Sequence, residues 1–386
     1  MAANRSLSGR RIVFVLPSAV LGGAERHAIQ LAHGLAEGEA AVEVSALGAR
    51  DGEGRQLCDQ LGIPWRPVPV EWSRSEGRLR KAGELARVGL ALRRAHPDAL
   101  LPFCGFPNVV CGLVWRATGA KVCIWNQQDV NELRRVHESR VRWAVRNTPL
   151  FVANAKHAGD FLVARWGAPR SRVRVIHPGV EVAIPESDRA SWRTNLGLGE
   201  EDFAACMVAH LHPGKDHATL LHAWRLVADR LSKGGRRGVL VLAGRPAGTE
   251  DALKALAFDL RLQDHVRFVG EVRDVAGLSA ACDAGVLSSR AEGCPNAVLE
   301  GMAAGLAFAG TDIPGIREAA GPDSFPFLAA PGDAEGLADA LLRLAENSET
   351  RAKLGARNRE RVRREFSMKS VVERNVELLM ESLNRT

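Results

Sequence analysis

Residues 284–311 read AGVLSSRAEGCPNAVLEGMAAGLAFAGT and form a strand–helix–strand pattern. The runs AGVLSS (284–289) and LAFAGT (306–311) have the length and the apolar composition of buried strands. Between them, a short turn precedes a helix of small residues that we expect over 297–304, and Pro295 suits the first helical turn. Two apolar strands joined by a helix predict a parallel sheet that is covered on both faces.

The same alternation of apolar strands and helical segments runs along nearly the whole chain of 386 residues. A segment rich in proline at 177–188 is the best candidate for a linker between two domains. Further strands are expected on both sides of it, at 11–17, 42–47, 99–103, 121–127, 150–155, 204–211, 238–244 and 265–270. The sequence therefore predicts an α/β protein with two Rossmann-like, doubly wound parallel-sheet domains, which span residues 1–182 and 183–366.

Three helices are expected at the end of the chain, over 333–346, 350–365 and 368–383. The last of them carries an apolar stripe, which consists of Val371, Val372, Val376, Leu378, Leu379 and Leu383. Such a stripe must be buried, and we expect it to pack against another domain rather than a membrane. No stretch of the sequence approaches the roughly 20 apolar residues that a membrane-spanning helix needs.

The N-terminus has the outline of a secretory signal, because Arg10 and Arg11 precede an apolar run. Pro17 interrupts that run, and the regular alternation begins at once, so we expect a strand here instead. The seven cysteines are scattered and lack the spacing of metal sites. They are expected to be reduced thiols of a cytosolic protein.

The composition is that of an ordinary globular protein, with 46% hydrophobic and 25% charged residues. The net charge of +7 is unevenly distributed, because residues 1–180 hold 26 Lys and Arg against 15 Asp and Glu, which gives +11. A basic half favours an anionic partner, such as a lipid surface, a phosphorylated acceptor or nucleic acid, and solvated helix faces are an equally good interpretation. Nucleic acid is the weakest of these, because aromatic residues are not interleaved with the basic ones.

The basic residues of this half fall into two groups along the sequence. The members are Arg74, Arg78, Arg80, Lys81, Arg87, Arg93 and Arg94 in the first group, and Arg134, Arg135, Arg140, Arg142 and Arg146 in the second. Peripheral contact with an anionic lipid surface is the hypothesis that these groups support.

Ligands of open α/β sheets bind beyond the carboxyl ends of the strands, and between two such domains the cleft is the expected site. After the first strand, Gly22 and Gly23 precede a helix that begins near Ala24. Their N–H groups and the helix dipole favour an anion, although an ordinary tight turn is the default interpretation of two glycines taken alone.

The first strand of the second domain is followed by AHLHPGKDH, which contains His210, His212, Lys215 and His217. Lys215 lies near the start of the next helix, where its ammonium group can reach phosphate oxygens, and a solvated lysine is the alternative interpretation. The spacing of the three histidines does not fit one face of a metal site, so no metal is expected.

Two carboxylates occupy the turn and helix within residues 284–311. Glu292 follows the strand tip, and Glu300 lies about one turn inside the next helix. Carboxylates in such positions accept hydrogen bonds from vicinal sugar hydroxyls, as the acidic residue of dinucleotide folds does with ribose. For either carboxylate alone, the alternative explanation is a favourable interaction with the helix dipole.

The combination of these motifs resembles glycosyltransferase family 4, whose members are retaining enzymes with the GT-B fold. The resemblance covers essentially the whole chain and is carried by GGAER (22–26), VRVIHPGVE (173–181), VAHLHPGKDHATLL (208–221) and SRAEGCPNAVLEGMAAGLAFAGTDIPGIRE (289–318). It implies an acceptor-binding N-terminal domain and a nucleotide-sugar-binding C-terminal domain that face a central cleft. It also implies that a last helix, within 367–386, packs back on the first domain.

The resemblance implies that the donor is a nucleotide diphosphate sugar, UDP- or GDP-linked, which serves as co-substrate without a metal or another cofactor. Glu300 is then expected to accept the ribose hydroxyls, and Glu292 those of the transferred sugar. Lys215 is expected to pair with the diphosphate, to which Gly22 and Gly23 offer N–H groups from the other domain.

The remaining donor contacts implied by the resemblance come from the backbone. Those around the sugar or phosphate lie at Pro295, Asn296, Ala297 and Val298, and the base is read by backbone around Arg267. The family often has an arginine at the position of His210, so an imidazole with pH-dependent charge replaces a fixed cation, and His212 is a candidate to share its role.

A second departure lies after the fifth expected strand, where this chain has WNQQD and the family often has histidine. Gln128 and the neighbouring Asn126 then become candidates for contact with a sugar or an acceptor hydroxyl. A third departure is GLAFAG (305–310), a conservative change within a buried strand.

The implied activity is that of a hexosyltransferase-type enzyme (EC 2.4) that retains anomeric configuration without a covalent intermediate. Its acceptor is a carbohydrate or lipid-linked sugar of cell-surface polysaccharide, lipopolysaccharide or glycolipid synthesis, and its location is cytoplasmic, with peripheral contact to the inner face of the cell membrane. Two alternatives stay open: a nucleotide-sugar epimerase of the same fold, and a catalytically weak nucleotide-sugar-binding partner subunit.

Overall fold

The computed structural model describes residues 7–48, 50–68, 70, 77–130 and 136–385. The chain divides into two compact units, of which the first comprises Met1–Gly179 with Met368–Thr386 and the second Val180–Ser367. Every strand pairing among the described residues is parallel, as the sequence predicted.

The first unit is a seven-stranded sheet with its connecting helices. Its strands are β1 (Arg11–Leu16), β2 (Ala41–Ala46), β3 (Trp65–Pro67), β4 (Ala99–Pro102), β5 (Val122–Gln127), β6 (Leu150–Ala153) and β7 (Val173–Val175). Its helices are α1 (Gly23–Glu37), α2 (Glu53–Gln60), α3 (Arg78–Arg93), α4 (Gly105–Thr118), α5 (Glu138–Asn147), α6 (Lys156–Trp166) and, from the end of the chain, α15 (Met368–Asn384).

The second unit is a six-stranded sheet of the same kind. Its strands are β8 (Phe203–Val208), β9 (Gly238–Ala243), β10 (Val266–Gly270), β11 (Ala284–Leu287), β12 (Ala307–Thr311) and β13 (Leu328–Ala329). Its helices are α7 (Arg189–Asn195), α8 (His217–Lys233), α9 (Glu250–Asp259), α10 (Val275–Ala281), α11 (Asn296–Ala303), α12 (Pro314–Ala320), α13 (Ala334–Glu346) and α14 (Ser348–Glu365), with a 3₁₀ turn at Pro213–Lys215 before α8.

The strand order reverses once in each sheet. The first sheet runs β3-β2-β1-β4-β5-β6-β7, and the second runs β10-β9-β8-β11-β12-β13. The switch points therefore lie between β1 and β4 and between β8 and β11, where neighbouring strands continue in opposite directions and leave a crevice at their carboxyl ends.

Burial on both faces explains why the central strands are continuous apolar runs. All six residues of β9 are buried, and so are the last five of β1. The short edge strands β3 and β13, of three and two residues, were not predicted, because runs of that length carry no periodic signal. All seven cysteines are free thiols, and six of them are buried.

The last helix, α15, is part of the first unit's core. Its apolar stripe joins the cluster of buried side chains from β1 and α1, to which Val371, Leu378, Leu379 and Leu383 belong. Gly34 of α1 permits the close approach, because a Cβ at this position would lie 2.5 Å from Cγ2 of Val372. The apolar stripe of α15, which was expected to pack against a domain, is buried by these contacts.

Candidate functional site

The switch point of the second unit brings two loops together. One follows β8 and contains the 3₁₀ turn Pro213–Lys215, and the other joins β11 to α11. β8 and β11 are paired neighbours, with Gly285 opposite Cys206. The loops that leave their carboxyl ends therefore meet at the position where α/β sheets of this kind bind ligands.

Lys215 and Glu292 are in direct contact in this crevice. Their Nζ and Oε1 atoms are 2.5 Å apart, although the residues are 77 positions apart in the sequence. The lysine side chain is 30% exposed and the glutamate side chain 13%. Two residues that the sequence singled out separately thus form one ion pair that a ligand can reach.

The turn that carries Lys215 is held from both sides. The Nδ1 atom of His212 accepts the N–H of Gly214 at 3.0 Å, so the predicted ligand-contacting ring caps the turn. Across the crevice, the Ser288 hydroxyl donates to the Lys215 carbonyl at 2.9 Å, and the Arg290 N–H donates to the Gly214 carbonyl at 3.0 Å. These bonds fix the register of the two loops.

Asp216, the residue after Lys215, stabilises the same turn through its side chain. It adopts φ +50°, and its buried carboxylate accepts from Arg290 Nε at 3.0 Å and from the Thr219 hydroxyl at 3.0 Å. Neither Asp216 nor Arg290 was predicted. Their contact joins residues 74 positions apart, so no local sequence pattern indicates it.

The loop that carries Glu292 rests on α12. A Cβ at Gly315 would overlap the carbonyl oxygen of Gly293 and lie 2.7 Å from that of Glu292. The Thr311 hydroxyl donates to the Ser289 carbonyl at 2.5 Å and ties the start of the loop to β12. Gly315 therefore allows the loop backbone at Glu292 and Gly293 to pack closely against α12, because a residue with a side chain would clash with it.

Helix α11 begins at Asn296, and Pro295 lies in the extended N-cap position rather than in the first turn. The prediction for Pro295 was therefore one residue too far into the helix, which is a typical boundary difference. Glu300 is half-buried in the helix, as expected. Val298, including its backbone, is fully buried, whereas Asn296 and Ala297 are half-buried.

His210 is exposed beyond the end of β8, and its carbonyl accepts the His212 N–H at 2.7 Å. Arg267 lies on β10, where its guanidinium donates to the carbonyls of Leu196, Gln263 and Val266. The Arg267 side chain is thus committed within the protein, and a contact with a base would come from the backbone nearby.

His217 lies directly behind the lysine turn. It is 2% exposed, and neither ring nitrogen has a hydrogen-bond partner among the described residues. Burial, assisted by the charge of Lys215, lowers the pKa of His217 to about 4. No group of three His, Cys, Asp or Glu side chains within the described ranges lies close enough together to hold a metal ion.

The switch point of the first unit contains the predicted diglycine. Gly23 is the first residue of α1, and the N–H of Gly22 donates to Oε2 of Glu25 at 3.2 Å. The other carboxylate oxygen of Glu25 lies 3.8 Å from Sγ of Cys104, which follows β4. The Glu25 carboxylate therefore accepts the Gly22 N–H that was expected to contact phosphate.

The candidate amide side chains of Asn126, within β5, and Gln128, directly after it, differ in exposure. Asn126 is 2% exposed, and its Nδ2 donates to the carbonyls of Pro102 and Ile124 at 3.1 and 2.9 Å. Gln128 is half-buried, and its carbonyl accepts Nδ2 of Asn154 at 2.8 Å. Gln128 is thus more accessible to a ligand than Asn126.

The basic surface of the first unit includes α5, where Arg142 and Arg146 are exposed beside Trp143, itself 58% exposed. On α3, Leu79 and Leu90 are exposed among arginines. Arg74, Arg134, Arg135 and the Arg78 side chain lie outside the described residues. Within the described part of the chain, no helix is long and apolar enough to cross a membrane.

Two family models match this chain and together cover most of it. The model of Glycosyltransferase Family 4 matches residues 21–184, and that of Glycosyl transferases group 1 matches residues 203–347. The chain has the two-domain parallel-sheet architecture of GT-B glycosyltransferases. It belongs to glycosyltransferase family 4.

A curated relative is D-inositol 3-phosphate glycosyltransferase of Saccharomonospora viridis, which is 28% identical over 239 residues, or 60% of this chain and 55% of that protein. The chain spans about half the length of the curated relatives it matches. Among solved structures, Anabaena HepE in complex with UDP-glucose has a TM-score of 0.82 at 21% identity, covering 97% of this chain and 100% of that one. WaaG, a glycosyltransferase involved in lipopolysaccharide biosynthesis, has a TM-score of 0.73 at 20% identity, covering 95% of this chain and 99% of that one.

Proposed function

We propose that this protein is a glycosyltransferase that moves a sugar from a nucleotide diphosphate sugar to an acceptor hydroxyl, and that the donor binds at the switch point of the second unit. The observation that carries the proposal is the contact of Lys215 Nζ with Glu292 Oε1 at 2.5 Å. It joins a cation suited to the diphosphate and a carboxylate suited to sugar hydroxyls in one accessible crevice.

The ion pair suggests how a donor is accommodated. A diphosphate brings more negative charge to Lys215 than one carboxylate does, so it replaces Glu292 as the partner of the ammonium group. Glu292 is then released to accept hydrogen bonds from the transferred sugar. Glu300, one turn inside α11, is left for the ribose hydroxyls.

The proposed reaction retains the configuration at the anomeric carbon. The bond from this carbon to the diphosphate oxygen breaks, the acceptor oxygen forms the new bond on the same face, and the acceptor proton passes to the leaving phosphate. Lys215 stabilises the charge that develops on the leaving group. The proposal includes no metal, because the lysine supplies the counter-charge at this position.

UDP is our first choice of nucleotide, because HepE, whose fold this chain shares, was solved with UDP and with UDP-glucose. The pathway we propose is cell-surface polysaccharide, lipopolysaccharide or glycolipid synthesis, by analogy with WaaG. We also propose that the basic surface around Trp143 attracts an anionic acceptor or the anionic inner face of a membrane, since an exposed aromatic ring among arginines suits that interface.

A thermal-shift screen against UDP-, GDP- and ADP-sugars tests the donor proposal, because a ligand that binds only the native state raises the midpoint of unfolding. Product analysis of the best donor with and without acceptor then separates the activities. An epimerase converts the nucleotide sugar without acceptor, whereas a binding subunit gives a shift but no turnover. The absence of any shift across the panel contradicts the proposal.

A further inference from the structure

We propose that Arg290 is a second phosphate-binding residue of the donor site. This inference rests on the proposed function, since it assigns a further contact to the same nucleotide diphosphate. Arg290 follows β11, two positions before Glu292, and no motif of the sequence assigns it a role.

The position of Arg290 is fixed relative to Lys215. Its backbone N–H donates to the carbonyl of Gly214, the residue before the lysine, at 3.0 Å. Its Nε lies 3.0 Å from Oδ2 of Asp216, the residue after the lysine. The guanidinium is therefore held against the turn that presents the lysine ammonium.

Arg290 also has donors to spare. Asp216 engages Nε, and within the described residues no hydrogen bond involves Nη1 or Nη2. The arginine side chain is 66% exposed, whereas that of Asp216 is 4% exposed. A guanidinium held by one edge, with its other N–H groups in solvent, is suited to bidentate contact with phosphate oxygens.

The charges of the crevice favour the same conclusion. Lys215 pairs with Glu292, and Arg290 pairs with Asp216, so the charges balance within each pair. A diphosphate carries more negative charge than one lysine can neutralise. Since the side chain of Asp216 is buried and does not compete for the outer face of the guanidinium, Arg290 offers the diphosphate a second cationic group that it can reach.

The test compares Arg290→Gln with wild type by calorimetric titration of UDP, GDP and ADP, and of the corresponding nucleosides. For the nucleotide that wild type binds best, loss of the guanidinium should weaken binding about tenfold to a hundredfold. Binding of the nucleoside, which has no phosphate, should be unchanged. A general structural defect would weaken both.

Two further variants make the comparison decisive. Arg357→Gln is the matched control, because Arg357 is 67% exposed and pairs with Asp323 at 2.9 Å on α14; it should bind UDP as wild type does. Arg290→Lys keeps the positive charge but loses the paired N–H donors of the guanidinium. It should bind the nucleotide more weakly than wild type and more tightly than Arg290→Gln. It also serves if the glutamine variant does not fold.

The outcomes separate the two proposals. If wild type binds a nucleoside diphosphate and the Arg290 variants bind it equally well, the role of Arg290 is refuted and the proposed function stands. If wild type binds none of the three nucleotides, the proposed function fails and this inference fails with it.

Discussion

The Nζ atom of Lys215 lies 2.5 Å from Oε1 of Glu292, across the switch point of the second sheet. The lysine comes from the turn after β8 and the glutamate from the loop after β11, so the contact depends on the pairing of these two strands. Both side chains are partly accessible. A ligand that binds here has to replace the contact between Lys215 and Glu292 with its own contacts to these two side chains. The first prediction follows from this.

Lys215→Ala and Glu292→Ala should each lower sugar transfer by about 100-fold or more, because each removes a charged contact to the reacting part of the donor. Both variants should stay folded, since the pair is partly exposed. The measurement is initial rate against donor concentration, with circular dichroism to check folding.

The control for this prediction is a second lysine–glutamate pair in the same unit. Lys254 and Glu250 form an ion pair of 2.7 Å on the surface of α9. Alanine at either position should leave turnover within about twofold of wild type, because such surface pairs contribute little. Wild-type turnover by Lys215→Ala or Glu292→Ala would remove these residues from the site.

Gly315→Ala should impair the site from a distance. The new Cβ would overlap the Gly293 carbonyl oxygen and lie 2.7 Å from that of Glu292, so the loop has to move. We expect a loss of about 1–3 kcal/mol of unfolding free energy, as in other overpacked sites, together with weaker donor binding. Chemical denaturation and nucleotide titration measure the two effects.

The control for Gly315→Ala is Gly83→Ala in α3, where a Cβ would meet no atom within 4 Å. It should stabilise the protein by about 0.5–1 kcal/mol, because alanine is the better helix former, and it should leave donor binding unchanged. If Gly315→Ala behaves like Gly83→Ala, the loop does not depend on the close approach of α12.

Two buried histidines predict loss of stability in acid. Burial lowers the pKa of His27 and of His217 to about 4, from an ordinary value of 6.5. Between these values the unfolded chain binds the protons that the folded protein excludes, so stability falls as the pH decreases from 6.5 to 4. Each histidine should contribute about 3 kcal/mol to that loss.

The measurement is the free energy of unfolding at pH 7 and pH 4 for wild type, His27→Gln and His217→Gln. Each variant should lose less stability than wild type between the two pH values, because glutamine does not titrate. Equal losses in all three proteins would show that these side chains are not buried as neutral groups.

The contact of α1 with α15 predicts a compensating pair of substitutions. Gly34→Ala should destabilise the first unit, because its Cβ would lie 2.5 Å from Cγ2 of Val372. Adding Val372→Ala should recover part of the loss, since it removes the opposing methyl group. A double-mutant cycle by thermal unfolding measures the coupling, and strictly additive effects would contradict the contact.

Much of the fold was predictable because buried parallel strands are continuous apolar runs, as in β1, β9 and β11. The edge strands β3 and β13 are too short to leave such a signal. In the site, Lys215 and Glu292 were identified separately as loop residues after strands. Their contact, the Asp216–Arg290 pair and the approach of Gly315 to Gly293 depend on strand order and backbone geometry, which local sequence patterns do not contain.

A crystal structure of the protein with a bound nucleotide diphosphate sugar tests the central proposal most directly. We predict that diphosphate oxygens lie within hydrogen-bond distance of Lys215 Nζ and that the Glu292 carboxylate contacts the sugar instead of the lysine. A nucleotide bound elsewhere, with the Lys215–Glu292 ion pair still intact, would contradict the proposal.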